Sequence, residues 1–155
     1  MKYLKGLISI LLIANLTHAQ DKPTESDIKA LVDNKTFVFE VQSASPLRGR
    51  TVHLSPGNTL KVSADTVVSD LPYYGRAHSA PMNPSDAGIK FTSSDFTYTV
   101  KDRKKSGWDV TIKAKDGTRN HQIYLTISSN GSASGRVVSS DRESISYNGN
   151  IQKSK

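Results

Sequence analysis

The sequence predicts a mainly β protein, a single antiparallel β-sandwich or partly open β-barrel with one short N-terminal helix. After residue 35, apolar and polar residues alternate in short runs, as they do along strands that bury one face. Turn-forming Asp-Gly and Asn-Gly dipeptides separate several of these runs and indicate antiparallel neighbours. Many short strands joined by tight turns are typical of sandwiches and barrels.

One segment ahead of the strands has helical spacing. Its apolar residues recur on one side of a helix: Ile28, Ala30, Leu31 and Val32. Thr24 and Asp27 stand three residues apart, as in a capping box that satisfies free backbone N–H groups at a helix start. We predict a helix from about Glu25 to Asp33 that ends at Asn34, within an N-terminal region of residues 20–34.

The β domain is expected over residues 35–151. Eight apolar residues should face its core: Phe39, Phe96, Trp108, Val110, Ile112, Ile123, Leu125 and Ile127. Residues 50–70 provide two or three strands, and residues 88–151 provide a meander of five or six. Residues 152–155 have no such pattern and are expected to form a frayed tail.

Three turns connect the predicted strands of the meander. Asp116-Gly117 and Asn130-Gly131 match type I′ hairpin turns, which need positive φ at both central residues. Lys104 to Gly107 is expected to form the third turn. Adjacent strands at these points should therefore run antiparallel.

The segment from Pro72 to Gly88 breaks the strand pattern. It contains three prolines and two glycines, so neither a helix nor a strand can continue through it. Loops longer than about 12–15 residues are uncommon in compact domains and are usually functional or disordered. Two tyrosines in the segment argue against disorder, so this loop is the best candidate site.

Four side chains of that loop are predicted to bind a ligand. Tyr73 and Tyr74 offer aromatic faces with hydroxyl ends, Arg76 a fork of donors, and His78 a group that titrates near neutrality. We expect a small anionic or glycan ligand here. The alternative interpretation is structural: Tyr73 or Tyr74 folds inward to cover one end of the sheet, while Arg76 bonds to loop carbonyls.

The chain begins with the pattern of a signal peptide. Lys2 and Lys5 precede an apolar run from Leu7 to Leu16, and Thr17-His18-Ala19 supplies the small residues of a cleavage site after Ala19. The run of about ten residues is too short to cross a bilayer as a helix. We expect an exported protein, periplasmic or extracellular, with no transmembrane segment after cleavage.

Composition limits the function further. Removing residues 1–19 leaves 136 residues, a length that suits one domain, and the chain contains no cysteine for a disulfide or a lipid anchor. The formal charge of +7 includes Lys2 and Lys5 and falls to +5 without them. This moderately basic balance suits acidic partners. We expect no nucleic-acid partner, because the protein is expected to be exported.

Several short segments resemble a known family. They are Leu54 to Gly57, Leu60 to Val62, Leu71 to Ala77 and Gly88 to Phe91, of which the Pro-Tyr-Tyr-Gly-Arg-Ala stretch is the most specific. Together they resemble the Bacteroidota domain-of-unknown-function family numbered 4251 over roughly residues 30–151. The resemblance implies an exported, mostly β protein of a Bacteroidota bacterium and carries no catalytic residues.

The sequence offers no catalytic motif, cofactor motif or close pair of metal ligands, since the histidines stand far apart. We therefore expect a binding or envelope-associated module rather than an enzyme. One alternative is a small exported hydrolase that uses His78 with Asp70 or Asp86 in the loop. Another is a structural assembly partner, which would show an exposed apolar patch or an unprotected edge strand.

Overall fold

The described part of the chain forms one helix and ten strands. The computed structural model describes residues 22–78 and 87–154, so the predicted signal peptide and part of the Pro72–Gly88 loop lie outside the described residues. The elements in chain order are α1 (Glu25–Asp33), β1 (Phe37–Pro46), β2 (Val52–His53), β3 (Thr59–Val62), β4 (Val67–Leu71), β5 (Ile89–Ser93), β6 (Phe96–Asp102), β7 (Trp108–Asp116), β8 (Arg119–Ile127), β9 (Ser132–Ser139) and β10 (Arg142–Lys153).

These strands form a single antiparallel sheet. Its order is β5-β4-β3-β1-β10-β9-β8-β7-β6, with β2 added beside β1. The sheet curls until β5 and β8 face each other, where the rings of Phe91 and His121 stack with centroids 4.3 Å apart. It is nearly closed into a barrel with one open seam, which confirms the predicted fold class.

The predicted meander is confirmed for β6 to β10, which pair in succession. β5 does not join it and pairs with β4 instead. Because Ser94 and Asp95 alone separate β5 from β6, two strands that are consecutive in the chain lie at opposite ends of the sheet order. The seam lies between them.

The core follows the alternation predicted along β7 and β8, whose inward side chains are buried. Seven of the eight predicted core residues are buried. Phe96 is the exception: it is half-buried because β6 is the last strand of the sheet. Tyr147 of β10, which is not among the predicted core residues, is fully buried.

Helix α1 has the predicted bounds and lies beside the end of β10. The Thr24 side chain accepts from the Asp27 backbone N–H at 3.2 Å, and Asp27 accepts from the Thr24 N–H at 2.9 Å, which confirms the capping box. Ile28 and Val32 are buried, and the Val32 carbonyl accepts from the Tyr98 hydroxyl at 2.8 Å. No described helix is long and apolar enough to cross a membrane.

Two of the predicted turns have a different geometry. Asp116 pairs with Arg119, so Gly117 and Thr118 are the two turn residues, and Gly117 alone has positive φ (59°). A positive φ at the first central position alone is the pattern of a type II′ turn, since a type I′ turn has positive φ at both central positions. In the other turn Gly131 has φ 85° while Asn130 does not have positive φ, as in a three-residue hairpin loop.

The end of the β domain also differs from the prediction. Gln152 and Lys153 were expected to belong to a tail, but they pair with Val38 and Phe37 in β10. Their side chains are exposed, so the sequence here lacks the alternation of apolar and polar residues by which a strand is recognised. Backbone pairing with β1 keeps them in the sheet.

Candidate functional site

The segment from Pro72 to His78 is fastened to the start of β10. Ala77 forms an antiparallel bridge with Arg142. The His78 backbone N–H donates to the Asp141 carbonyl at 2.8 Å, and the Glu143 N–H donates to the Arg76 carbonyl at 3.0 Å. Since α1 lies beside the other end of β10, the segment and α1 occupy opposite ends of the barrel.

Two tyrosine hydroxyls secure the same segment. The Tyr147 hydroxyl donates to the Pro72 carbonyl at 2.6 Å. The Tyr73 hydroxyl lies 2.8 Å from the Arg76 carbonyl and 3.0 Å from the Glu143 carbonyl, so its single proton serves one of them at a time. Burial raises the pKa of both tyrosines above the ordinary value, which keeps them protonated donors at neutral pH.

Arg142 holds the two ends of the Pro72–Gly88 loop together. Its guanidinium donates from Nη1 to the Gly88 carbonyl at 2.8 Å and lies 5.0 Å from the centroid of the Tyr73 ring. It also grips the Asp141 carboxylate with two bonds of 2.8 and 3.2 Å. The guanidinium in turn lowers the pKa of Asp141, so the pair stays charged although the Arg142 side chain is 6% exposed.

Glycine at position 75 completes this arrangement. The Tyr73 ring folds back over Gly75, and a Cβ atom at that position would collide with the ring and its hydroxyl. The Pro-Tyr-Tyr-Gly-Arg-Ala stretch therefore has a structural explanation: it supplies carbonyl acceptors, an anchoring ring and the space for that ring. We call the segment 72–78 together with residues 141–143 the stem.

Three of the four predicted ligand residues extend from the stem into solvent. Tyr74 is 46% exposed, and Arg76 and His78 are exposed as well. Tyr73 differs, because it is half-buried and its hydroxyl is used within the stem. Of the structural interpretation, the inward placement of Tyr73 is seen, whereas the Arg76 side chain bonds to no carbonyl among the described residues. The ligand interpretation stays a prediction, made for a ring, a guanidinium and an imidazole that face outward.

A buried histidine lies beneath this end of the barrel. His121 is 3% exposed, and its Nδ1 lies 2.7 Å from the Ser139 hydroxyl. Its Nε2 has no hydrogen-bond partner among the described residues. Burial, and to a lesser degree the charge of Arg119, lowers the pKa of His121 below its ordinary value of 6.5, so the ring is neutral at pH 7.

The residues named for the hydrolase alternative are not seen as a hydrogen-bonded pair. Asp70 forms an ion pair with Lys90 at 3.1 Å, and no hydrogen bond joins it to His78 within the described residues. Asp86 lies outside the described residues. Within residues 22–78 and 87–154, no three His, Asp or Glu side chains are grouped as metal ligands.

A groove of about 950 Å³ lies at the α1 end, away from the stem. Several of its polar side chains already have partners in the protein. Asp27 bonds to Thr24, and the Asn130 side chain accepts from the Ser132 N–H at 3.0 Å. The stem differs from the groove in presenting an exposed aromatic ring, a guanidinium and an imidazole, those of Tyr74, Arg76 and His78.

Sequence reasoning did not identify the residues that hold the stem. Asp141, Arg142 and Tyr147 are about seventy residues from the loop in the chain, and nothing in the local pattern connects them. An arginine at an inward position of a strand was the available signal, since arginine is rarely buried without a partner.

Comparisons with known proteins agree with the fold. A sequence model for the family described as "Domain of unknown function (DUF4251)" matches residues 19–151. No curated protein matches the chain. A crystal structure of a DUF4251 family protein from Bacteroides eggerthii is similar, with a TM-score of 0.64 and 13% identity, covering 83% of this chain and 87% of that one.

We predict that Arg142→Met lowers the free energy of unfolding by about 2–3 kcal/mol, because it leaves the Asp141 carboxylate and the Gly88 carbonyl without their donor. Urea unfolding measures the loss. Arg119→Met is the matched control, since it breaks the more exposed ion pair with Asp116 and should cost less than about 1 kcal/mol. Equal losses in the two variants would contradict the proposed role of Arg142.

We also predict that stability falls when the pH drops below about 6.5, because His121 takes up its proton first in the unfolded chain. Between that value and the lowered pKa of folded His121, the unfolded state binds a proton that the native state does not. The contribution of His121 to the free energy of unfolding is therefore fully present above pH 6.5. It is lost as the pH falls through the pKa of His121 in the folded protein. Urea unfolding at a series of pH values between 7.5 and 5 gives the dependence of the free energy of unfolding on pH. This dependence should become weaker in His121→Gln and stay the same in the control His53→Gln. An unchanged dependence in His121→Gln would refute the assignment.

Proposed function

This chain belongs to the DUF4251 family, and we propose that it is an exported binding module of a Bacteroidota envelope that holds a small anionic or glycan ligand at the stem. The proposal rests on one observation about segment 72–78: its backbone is held in place, whereas three of its side chains are exposed. The backbone of this segment is bonded to residues 141–143, and Arg142 also donates to the Gly88 carbonyl at the far end of the Pro72–Gly88 loop. Tyr74, Arg76 and His78 nevertheless remain exposed.

The chemistry of the three exposed side chains supports this ligand class. A tyrosine ring supplies a flat apolar surface, and a guanidinium supplies paired donors that match a carboxylate or phosphate. An imidazole adds ring nitrogens that can donate or accept a hydrogen bond. Arg76 is exposed, and its side chain donates no hydrogen bond within the described residues.

The fixed stem supports affinity as well as position. Ordering a flexible loop opposes binding, with about 0.5–1.5 kcal/mol lost for each side chain that becomes immobile. Here the main chain beneath Tyr74 and Arg76 is already held by the Tyr73 and Tyr147 hydroxyls. A ligand would need to order the outward side chains alone.

Export is proposed from the N-terminal pattern. The basic start, the short apolar run and the small residues before Gln20 are those of a cleaved signal peptide. Absence of cysteine leaves no site for a lipid anchor after cleavage. The proposed location is the periplasm or the extracellular space.

The ligand proposal predicts that Tyr74→Ala and Arg76→Ala each weaken binding at least tenfold, the loss expected when about 1.4 kcal/mol of contact is removed. A glycan and metabolite screen on the protein from Gln20 onward identifies a ligand, and calorimetric titration measures each variant. Thermal unfolding checks that the variants stay folded.

Matched controls come from exposed residues of the same type elsewhere. Tyr124, 43% exposed on β8, and Arg48, in the connection after β1, should tolerate alanine with no change in affinity. Full-strength binding by both folded stem variants would place the ligand site elsewhere. A wild-type protein that binds nothing in the screen would count against the binding function itself.

The export proposal predicts a specific N-terminus. Mass spectrometry of the protein from the periplasmic and culture fractions should find chains that begin at Gln20, partly as the cyclised pyroglutamate. Ala19→Arg should block cleavage and retain the precursor, because the peptidase needs a small residue there. An intact Met1 on the wild-type protein in the cytoplasm or membrane would contradict export.

A further inference from the structure

β6 (Phe96–Asp102) is paired along one side. All seven of its residues pair with β7, and among the described residues its other side has no strand beside it. Such an edge presents unpaired backbone N–H and C=O groups that can bond to another strand. This edge borders the seam of the barrel.

The inward side chains of β6 show that the core is incomplete at this edge. Phe96, Tyr98 and Val100 are half-buried, whereas the residues paired with them on β7, which are Ala114, Ile112 and Val110, are fully buried. The hydroxyl of Tyr98 is held by the Val32 carbonyl, so α1 fixes this ring without supplying a strand. An added strand would cover the remaining apolar surface.

The neighbouring strand in the chain does not fill this position. All five residues of β5 pair with β4. Hydrogen bonds fix the connection between β5 and β6. The Asp95 carbonyl accepts from the Lys115 N–H at 3.0 Å and from the Ser93 hydroxyl at 3.0 Å. β5 therefore leads to the opposite half of the sheet and leaves the edge of β6 open.

Charge is concentrated where this edge ends. The turn after β6 carries three successive basic residues, Arg103, Lys104 and Lys105, and all are exposed. Arg103 lies 3.6 Å from the Asp109 carboxylate. Lys104 and Lys105 have no carboxylate within 4 Å in the described part of the chain, so their charges are available to an acidic group.

We propose that β6 binds an extended segment of a partner protein by strand addition, and that this segment has alternating apolar residues and an acidic end beside Lys104 and Lys105. Main-chain bonds along β6 would supply affinity, and the half-buried row would accept alternate side chains. The basic turn would attract the acidic end of the partner segment and so set the direction in which the segment runs along β6. This surface is separate from the stem and does not depend on the ligand proposed there.

The test uses three labelled nine-residue peptides that alternate valine and threonine. The first begins with two glutamates, the second with two lysines, and the third repeats the first with N-methyl groups on alternate backbone nitrogens. Fluorescence anisotropy should show the first binding at least tenfold more tightly than either of the others. Hydrogen exchange of the amides in residues 96–102 should slow when it binds.

Charge-reversal variants locate the bound peptide. Lys104→Glu with Lys105→Glu should weaken binding of the first peptide at least tenfold, while Lys113→Glu on the outer face of β7 and Tyr74→Ala in the stem should leave it unchanged. Four results would overturn the proposal: no binding, equal binding of the three peptides, protection outside β6, or self-association that already protects β6 without peptide.

Discussion

Pairing between β1 and β10 is the constraint on which the rest of the structure depends. The paired residues of these strands are roughly a hundred residues apart in the chain, from Phe37 with Lys153 to Pro46 with Ile145. They join the half of the sheet that contains β2 to β5 with the half that contains β6 to β9. Their register shifts between Val41 and Ser43, and the facing Gly149 is needed there because a Cβ atom would collide with the Glu40 carbonyl. Without this pairing, each half would be an open sheet with an exposed apolar face.

A curled sheet has two ends, and each end leaves backbone groups to be satisfied. At one end α1 supplies Ile28 and Val32 to the core and satisfies its own termini by the capping box and by Thr36, whose N–H donates to the Leu31 carbonyl. At the other end, Arg142 and two tyrosine hydroxyls donate to carbonyls of the loop. The hydrogen bonds that fasten the loop over this end of the barrel also fix the stem. Covering this end and presenting Tyr74 and Arg76 to solvent therefore have one physical cause.

The seam has a different origin. A sheet whose first and last strands do not pair must leave an edge, and here β5 and β6 diverge at Asp95, whose carbonyl accepts from the Lys115 N–H. The inward residues of β6 therefore lie at an edge that has no neighbouring strand among the described residues. The stem and the β6 edge are thus two surfaces with contrasting chemistry: polar side chains over a satisfied backbone, and apolar side chains beside an unsatisfied one.

The sequence by itself determined the elements whose causes are local. Alternation along β7 and β8, the spacing of Ile28 and Val32, and the Thr24–Asp27 capping box depend on residues a few positions apart, so the fold class and the helix bounds were predictable. Sequence also located the unusual loop and its exposed Tyr74, Arg76 and His78. Tertiary structure alone decided what required contact between distant residues: the half-burial of Phe96, the sheet pairing of Gln152 and Lys153, the inward turn of Tyr73, and the positions of Arg142 and His121. Those outcomes depend on which strand lies beside which and on where each buried donor finds its acceptor, and no local pattern encodes either.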